Sequence, residues 1–311
     1  MYVVIILVIV IIAVVCCYMV PPQSEYESRI RSFDPYMYYR GRPKLPMKNA
    51  GIPPIMFKTG PCEYENLPER IKQIHFQTIR KNKWMNIMYL SDHNALDFLR
   101  ANFDDRVVMA FRRLKAGAFQ ADLLRYCLLY KLGGIYGDLS QSYPIPLRHV
   151  IDTDRDALVL VCDLPYEGRV GVQIAFMAAS PNHPIFKVAI DMVVEMIEGM
   201  DYGSHVLDVT GPHLFRRALE RLRSISDVEF RMELCQANPY FYANFKRPDK
   251  PVIITKDKSH TDIIRNETHY SVLYAKRDVF HRVVPRDQSS VCTANVGTDV
   301  REFMRRTHEI K

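Results

Sequence analysis

Asp122, Arg125 and Asp138 are the residues whose types and spacing point to chemistry, in a stretch that reads FQADLLRYCLLYKLGGIYGDLSQSYPIP from Phe119 to Pro146. A carboxylate at a strand end accepts hydrogen bonds from hydroxyls or holds a metal ion on a diphosphate. A guanidinium grips hydroxyls or phosphate oxygens through its planar fork. Asp122 and Arg125 are three residues apart, so both project from one side of a helix. The plain alternative is a surface ion pair worth about 0.3–0.5 kcal/mol, with Asp138 only a turn residue.

The elements that must position these groups are legible around them. Leu123, Leu124, Cys127 and Leu128 form the apolar face of an amphipathic helix, and Gly133 and Gly134 supply a permissive stop. Ile135 and Tyr136 begin a strand that runs out at Asp138. Upstream, Ile52 to Thr59 reads as a first strand, Leu67 to Lys81 as a helix opened by Asn66 and Pro68, and Trp84 to Leu90 as a second strand. Ser91 caps a helix over Asp92 to Asn102. His183 opens a helix that runs to Glu198, and Thr210 caps one through Leu222 with Pro212 in its first turn. Strands alternating with helices predict an α/β sheet, mainly parallel, whose ligands bind at the carboxyl ends of strands.

Bulk properties narrow the reading. The chain has 311 residues, 48% of them apolar and 25% charged, which is enough to bury one large core. Its 42 Lys and Arg against 35 Asp and Glu give a net charge of +7, which suits phosphate-bearing ligands or anionic surfaces. No zinc-ligand spacing, Gly-rich RNA signature or basic helix supports nucleic-acid binding. The cysteines match no metal or redox motif.

Met1 to Val20 contains no charged residue, and twenty helical residues rise about 30 Å, the thickness of a bilayer core. Residues 1–20 therefore read as an uncleaved single-pass transmembrane anchor. Residues 21–51, rich in Pro and Tyr, read as a stem, and 52–311 as one catalytic domain. The nearest basic residues, Arg29, Arg31, Arg40 and Arg42, all follow the span, and the charge rule alone puts the domain in the cytosol.

The central stretch resembles the DXD-containing glycosyltransferases with a sugar-binding region, whose pattern runs ADxxRYxxLYxxGGIYxDxD. That group includes initiating mannosyltransferases of the fungal Golgi, and the glucosylating domains of clostridial toxins resemble it more distantly. Ala121, Asp122, Arg125, Tyr126, Leu129, Tyr130, Gly133, Gly134, Ile135, Tyr136 and Asp138 all match. Ile52 to Thr59 is similar to the family's opening IPKIIHQT strand, Ala178 to Pro184 to its PxHP turn, and Thr210 to Pro212 to its TGP helix start.

The resemblance implies a GT-A type fold, a Rossmann-like nucleotide-sugar-binding sandwich. It implies transfer of a hexose from a nucleoside diphosphate sugar to a glycan, lipid or protein hydroxyl, with retention. Carried over, the catalytic residues are Asp138 and Arg125. Asp122 contacts the nucleotide, Arg125 the sugar, and Asp138 the ribose and metal region, joined in donor binding by Tyr136, Phe57 and Thr59. A secretory-pathway or Golgi-like membrane is implied too; transferases there usually face the lumen, the charge rule points to the cytosol, and the side of the membrane stays open. The sequon Asn266-Glu267-Thr268 matters only on the lumenal side.

This chain departs from the pattern at Ser140, where the family has the second aspartate. Mn2+ or Mg2+ gains from each anionic oxygen ligand, so a hydroxyl weakens the site. Asp138, Ser140 and a compensating His269 form the expected metal set, with Asp163 and His281 as further candidates. The competing reading is a binding module that keeps the fold and nucleotide sugar or glycan recognition but has lost turnover.

Overall fold

Strand β1, Ile55–Gly60 (IMFKTG), is buried along its whole length. It starts at Ile55 rather than Ile52 because Pro53 and Pro54 have no N–H to offer a sheet ladder. The computed structural model describes residues 51–166, 169–226, 228, 230–238, 240–255 and 268–282. The anchor expected over residues 1–20, and the stem apart from Gly51, lie outside these. No helix among the described residues is long and apolar enough to cross a membrane.

After β1 come α1 (Glu69–Lys81), β2 (Asn86–Ser91), α2 (Asp92–Asn102), α3 (Asp105–Arg113), α4 (Gly117–Leu132) and β3 (Gly134–Gly137). Ser91 caps α2 by a full capping box, its hydroxyl accepting from the Asn94 N–H while the Asn94 side chain accepts from the Ser91 N–H. The second half holds β4 (Leu158–Tyr166), β5 (Arg169–Ala179), α5 (Pro184–Glu198), α6 (Pro212–Ile225), β6 (Arg231–Asn238), β7 (Phe241–Asn244), β8 (Arg247–Ile254) and the short α7 (Tyr270–Ala275).

The strands form one eight-stranded sheet in the order β2-β1-β3-β5-β4-β6-β7-β8. Parallel pairing joins β1 to β2, β1 to β3, and β4 to β6; the other four pairings are antiparallel. The mainly parallel sheet expected from the sequence is therefore a mixed one. Helical crossovers link β1, β2 and β3, which forces parallel pairing, but β4 and β5 follow each other directly and pair antiparallel.

Successive strand residues point to opposite faces, and the core divides accordingly. Phe57, Tyr136, Leu160 and Cys162 join the cluster built with α2 to α6, while Met56, Ile135, Val159 and Val161 join Tyr143, Leu147 and Ile151 of the connection after β3. Helix α4 buries the apolar face that its pattern predicts and more besides. Leu123 to Leu129 are all buried, Arg125 included, because the helix runs through the middle of the helical layer.

Two glycines turn α4 into β3. Gly133 has φ +64° and Gly134 φ +96°, and a Cβ on Gly134 would stand 2.6 Å from the Ile55 carbonyl oxygen of β1. We expect Gly134→Ala to lose about 1–3 kcal/mol of stability, read as a lower urea midpoint, because the backbone is strained for any L side chain and the strand is pushed away.

Candidate functional site

The carboxyl ends of the parallel strands β1 and β3 open onto a cleft of about 590 Å³, within the range of small-molecule sites. Its walls come from the end of β1 (Thr59, Gly60), the start of α4 (Phe119, Asp122, Arg125), the turn after β3 (Asp138, Ser140) and the β4–β6 strands (Asp163, Gln173, Gln236).

Arg125 occupies the centre of this arrangement. Its side chain is 7% exposed, and its Nη2 lies 3.0 Å from the Asp122 carboxylate and 3.5 Å from that of Asp138. The other nitrogens are also engaged, Nε with the Ala121 carbonyl at 3.3 Å and Nη1 with the Ile174 carbonyl of β5 at 2.8 Å. The guanidinium lies over the Tyr136 ring, 4.6 Å from its centroid. Burial opposes the charge, but Tyr136, Asp122 and Asp138 around it hold the guanidinium above its ordinary range. The dyad is thus no solvated surface pair.

Period-two alternation explains how Asp138 reaches it. Tyr136 faces the helical layer, so Asp138, two residues on, points the same way. Its backbone N–H donates to the Ala175 carbonyl of β5 at 3.0 Å, and its side chain is 40% exposed toward the cleft. The Tyr136 hydroxyl meets Thr59 Oγ1 at 3.1 Å, which ties the ends of β1 and β3 together.

Asp122 is held from the far side by Thr210, whose hydroxyl donates to its Oδ2 at 2.8 Å. The Thr210 carbonyl in turn accepts from the Tyr126 hydroxyl at 2.8 Å. Thr210 therefore does not cap the following helix, as its sequence context suggests. Gly211 occupies the N-cap of α6 without any side-chain bond, and the threonine is spent on the cleft.

Two other expectations change. Phe57 does not line a base pocket; it is fully buried, because it alternates with Met56 onto the helical face of β1 below the strand end. His269 does not join Asp138 and Ser140. It is exposed, caps α7, and places its Nδ1 2.7 Å from the Ser271 hydroxyl, while its neighbour Tyr270 lines the cleft instead. His281 is likewise outside the cleft wall, its N–H donating to the Arg113 carbonyl. Asp163 does line it, with its side chain lying over Gly171.

Ser140 lines the cleft and is 7% exposed. One carboxylate already paired with Arg125, beside a neutral hydroxyl, is a poor fit for a resident Mn2+ or Mg2+. No group of three His, Cys, Asp or Glu able to hold an ion occurs among the described residues.

Residues that sequence reasoning passed over complete the site. Gln173 donates to Gln236 at 2.5 Å across β4, and Tyr242 and Phe119 line the same cleft. Burial, followed by the Asp138 and Asp163 charges, pushes the Tyr242 phenol well above its usual range, so it stays neutral. Behind the wall, Lys58 of β1 is fully buried, and burial pushes its ammonium down to about 7 against the upward pull of Asp138. Its signal was a lone charge in an otherwise apolar, doubly buried strand.

Comparison with known proteins falls on this same region. Residues 68–153 match the family described as the glycosyltransferase sugar-binding region containing DXD motif. The match takes in Asp122, Arg125, Asp138 and Ser140. It begins after β1 and ends before Thr210. An uncharacterized glycosyltransferase of Acanthamoeba polyphaga mimivirus is 23% identical over 184 residues, 54% of this chain, and the chain spans 64% of that relative's length. Among solved structures, the PaToxG glycosyltransferase is 17% identical over 65% of this chain and 75% of its own, with a TM-score of 0.43. A glycosyltransferase involved in glycosylation of the major capsid of PBCV-1 is 11% identical over 73% and 98%, with a TM-score of 0.38.

Burial pushes the Asp122 carboxyl up to about 6, opposed by Arg125 and the Thr210 hydrogen bond and assisted by Asp138. An acid whose folded pKa is raised contributes stability that is present below its unfolded pKa of about 4 and is lost as pH rises through about 6. The unfolding free energy of wild type should accordingly fall between pH 4 and 7 relative to that of Asp122→Asn. Parallel urea titrations with the same slope across that range would contradict the assignment.

Proposed function

We propose that this chain moves a hexose from a nucleoside diphosphate sugar to a hydroxyl of a glycan, lipid or protein, with retention of anomeric configuration. The observation that carries the reading is the convergence of Asp122, Arg125 and Asp138 on one wall of a cleft at the carboxyl ends of β1 and β3. A fold kept for structure alone would have no use for a buried guanidinium held between two carboxylates that face a cavity.

In this scheme the bond from the anomeric carbon to the diphosphate oxygen breaks, and the leaving nucleoside diphosphate takes the electron pair. A bond from the same carbon to the acceptor oxygen forms, and the acceptor proton passes to the departing diphosphate. The protein positions the partners and stabilises the charge of the leaving group. Asp122 and Asp138 accept hydrogen bonds from donor hydroxyls, while Arg125 fixes the angle between the two carboxylates and supplies positive charge beside them. No protein carboxylate is assigned as a nucleophile. As part of the same reading, residues 1–20 tether the enzyme to a membrane of the secretory pathway.

The test is hydrolysis and transfer from a panel of UDP- and GDP-sugars, with manganese and then with chelator. Turnover of one donor is the expected result. No turnover, with thermal stabilisation by the same nucleotides, would favour a binding module on the same fold instead. Asp138→Asn should abolish transfer with the circular dichroism spectrum unchanged, and full activity in that variant would move the site elsewhere. Ser140→Asp should make turnover more dependent on manganese, because it adds an anionic oxygen beside Asp138; an unaltered chelator response would remove Ser140 from the site.

A further inference from the structure

Lys58 stands outside the reacting groups, yet its surroundings are unusual. The side chain is fully buried between the sheet and the connection after β3, with its ammonium 5.2 Å from the centroid of the Tyr143 ring. An ammonium has three N–H donors, and taking it out of water is costly unless all of them are matched. Three carbonyls match them here, from Asp138 at 2.9 Å, Leu139 at 3.4 Å and Gln141 at 3.1 Å. All three belong to one turn, the one that carries Asp138 and Ser140, and it closes on itself through the Gln141 N–H to the Asp138 carbonyl at 3.0 Å.

The consequence lies in which peptide planes are fixed. The Asp138 N–H is held by the Ala175 carbonyl of β5, so the plane before Asp138 is set by the sheet. The plane after it is set by Lys58 through the Asp138 carbonyl. With both planes fixed, the Cα–Cβ direction of Asp138 is fixed, and from there the carboxylate meets Arg125 at 3.5 Å. We propose that Lys58 is a positioning residue for Asp138, acting through the carbonyls of the turn from the face of the sheet opposite Arg125. The proposal rests on the transferase reading for its effect on turnover, but its structural half can be tested alone.

The experiment compares wild type, Lys58→Met and Lys58→Gln as full chains. Methionine keeps the volume and removes every donor, whereas glutamine restores a neutral donor. Amide exchange by mass spectrometry should show faster exchange over residues 138–142 in Lys58→Met, with the amides of β5 and α4 unchanged. Turnover of the donor found in the panel should fall by about 10²-fold, the scale of a reacting group misplaced by about 1 Å, and Lys58→Gln should recover part of it. In the Lys58→Met background, Asp138→Asn should cost much less than in wild type, since the two act on one interaction. A merely structural lysine would lower the thermal midpoint and leave these two sites additive.

Unchanged exchange over 138–142 in folded Lys58→Met overturns the proposal, whatever the turnover. Faster exchange with unaltered turnover also overturns it. Should Lys58→Met fail to fold, the same comparisons are read on Lys58→Gln. If wild type turns over no donor, the transferase reading falls. The exchange result and the calorimetric affinity for UDP or GDP then decide the role of Lys58, with loss of nucleotide affinity in the variant expected and unchanged affinity overturning it.

Discussion

A guanidinium shut inside a protein must find acceptors for its donors, and the arrangement around Arg125 follows from that demand. Ala121 on its own helix, Ile174 on β5, and the carboxylates of Asp122 and Asp138 all converge on it. These groups come from α4, β5 and the end of β3, so satisfying one side chain holds three elements together at the edge of the cleft. Removing one partner of such a buried set typically costs about 3–5 kcal/mol, far more than a surface pair. The cluster is thus a device for orientation as much as for binding, because two carboxylates that share one cation cannot drift independently.

The neighbouring layers serve the same end. Thr210 and Tyr126 brace Asp122 from the α6 side, while Tyr136 and Thr59 join the ends of β1 and β3 beneath Arg125. Lys58 gathers the turn from the opposite face of the sheet. Few of these bonds lie within one element; nearly all cross between elements far apart in sequence, which gives the wall its rigidity.

That distance in sequence also decides what could be read beforehand. Ser91 and the helix after it were legible because a capping box is complete within four residues. The same holds for His183, which caps α5 through the Ile185 N–H. The Asp122, Arg125 and Asp138 set was legible as a pattern, but not the burial that changes its character. Thr210 misled because Thr-Gly-Pro looks like a helix start, whereas its partner is 88 residues away. His269 misled for the converse reason, since a histidine in a Tyr-rich run carries no sign of whether it turns toward a cleft or caps a short helix. The mixed sheet escaped notice because alternation of strands and helices holds only as far as β3; after it β4 and β5, and then β6, β7 and β8, follow one another directly and pair as antiparallel hairpins.

Strand β3 is only four residues long, yet it has neighbours on both sides, parallel β1 through Met56↔Ile135 and Phe57↔Tyr136, and antiparallel β5 through four residue pairs. A pleated strand has a memory of parity: shifting it by one residue exchanges the two faces. With β3 displaced by one, Tyr136 would trade places with Ile135, and Asp138 would turn from Arg125 toward the side where Lys58 waits. The sheet therefore works as a two-position ruler, and its double clamping allows only one of the positions. One residue inserted between Gly134 and Asp138 would invert the site without enlarging it, while the same insertion in the exposed stretch around Pro144 and Ile145 would leave that parity untouched.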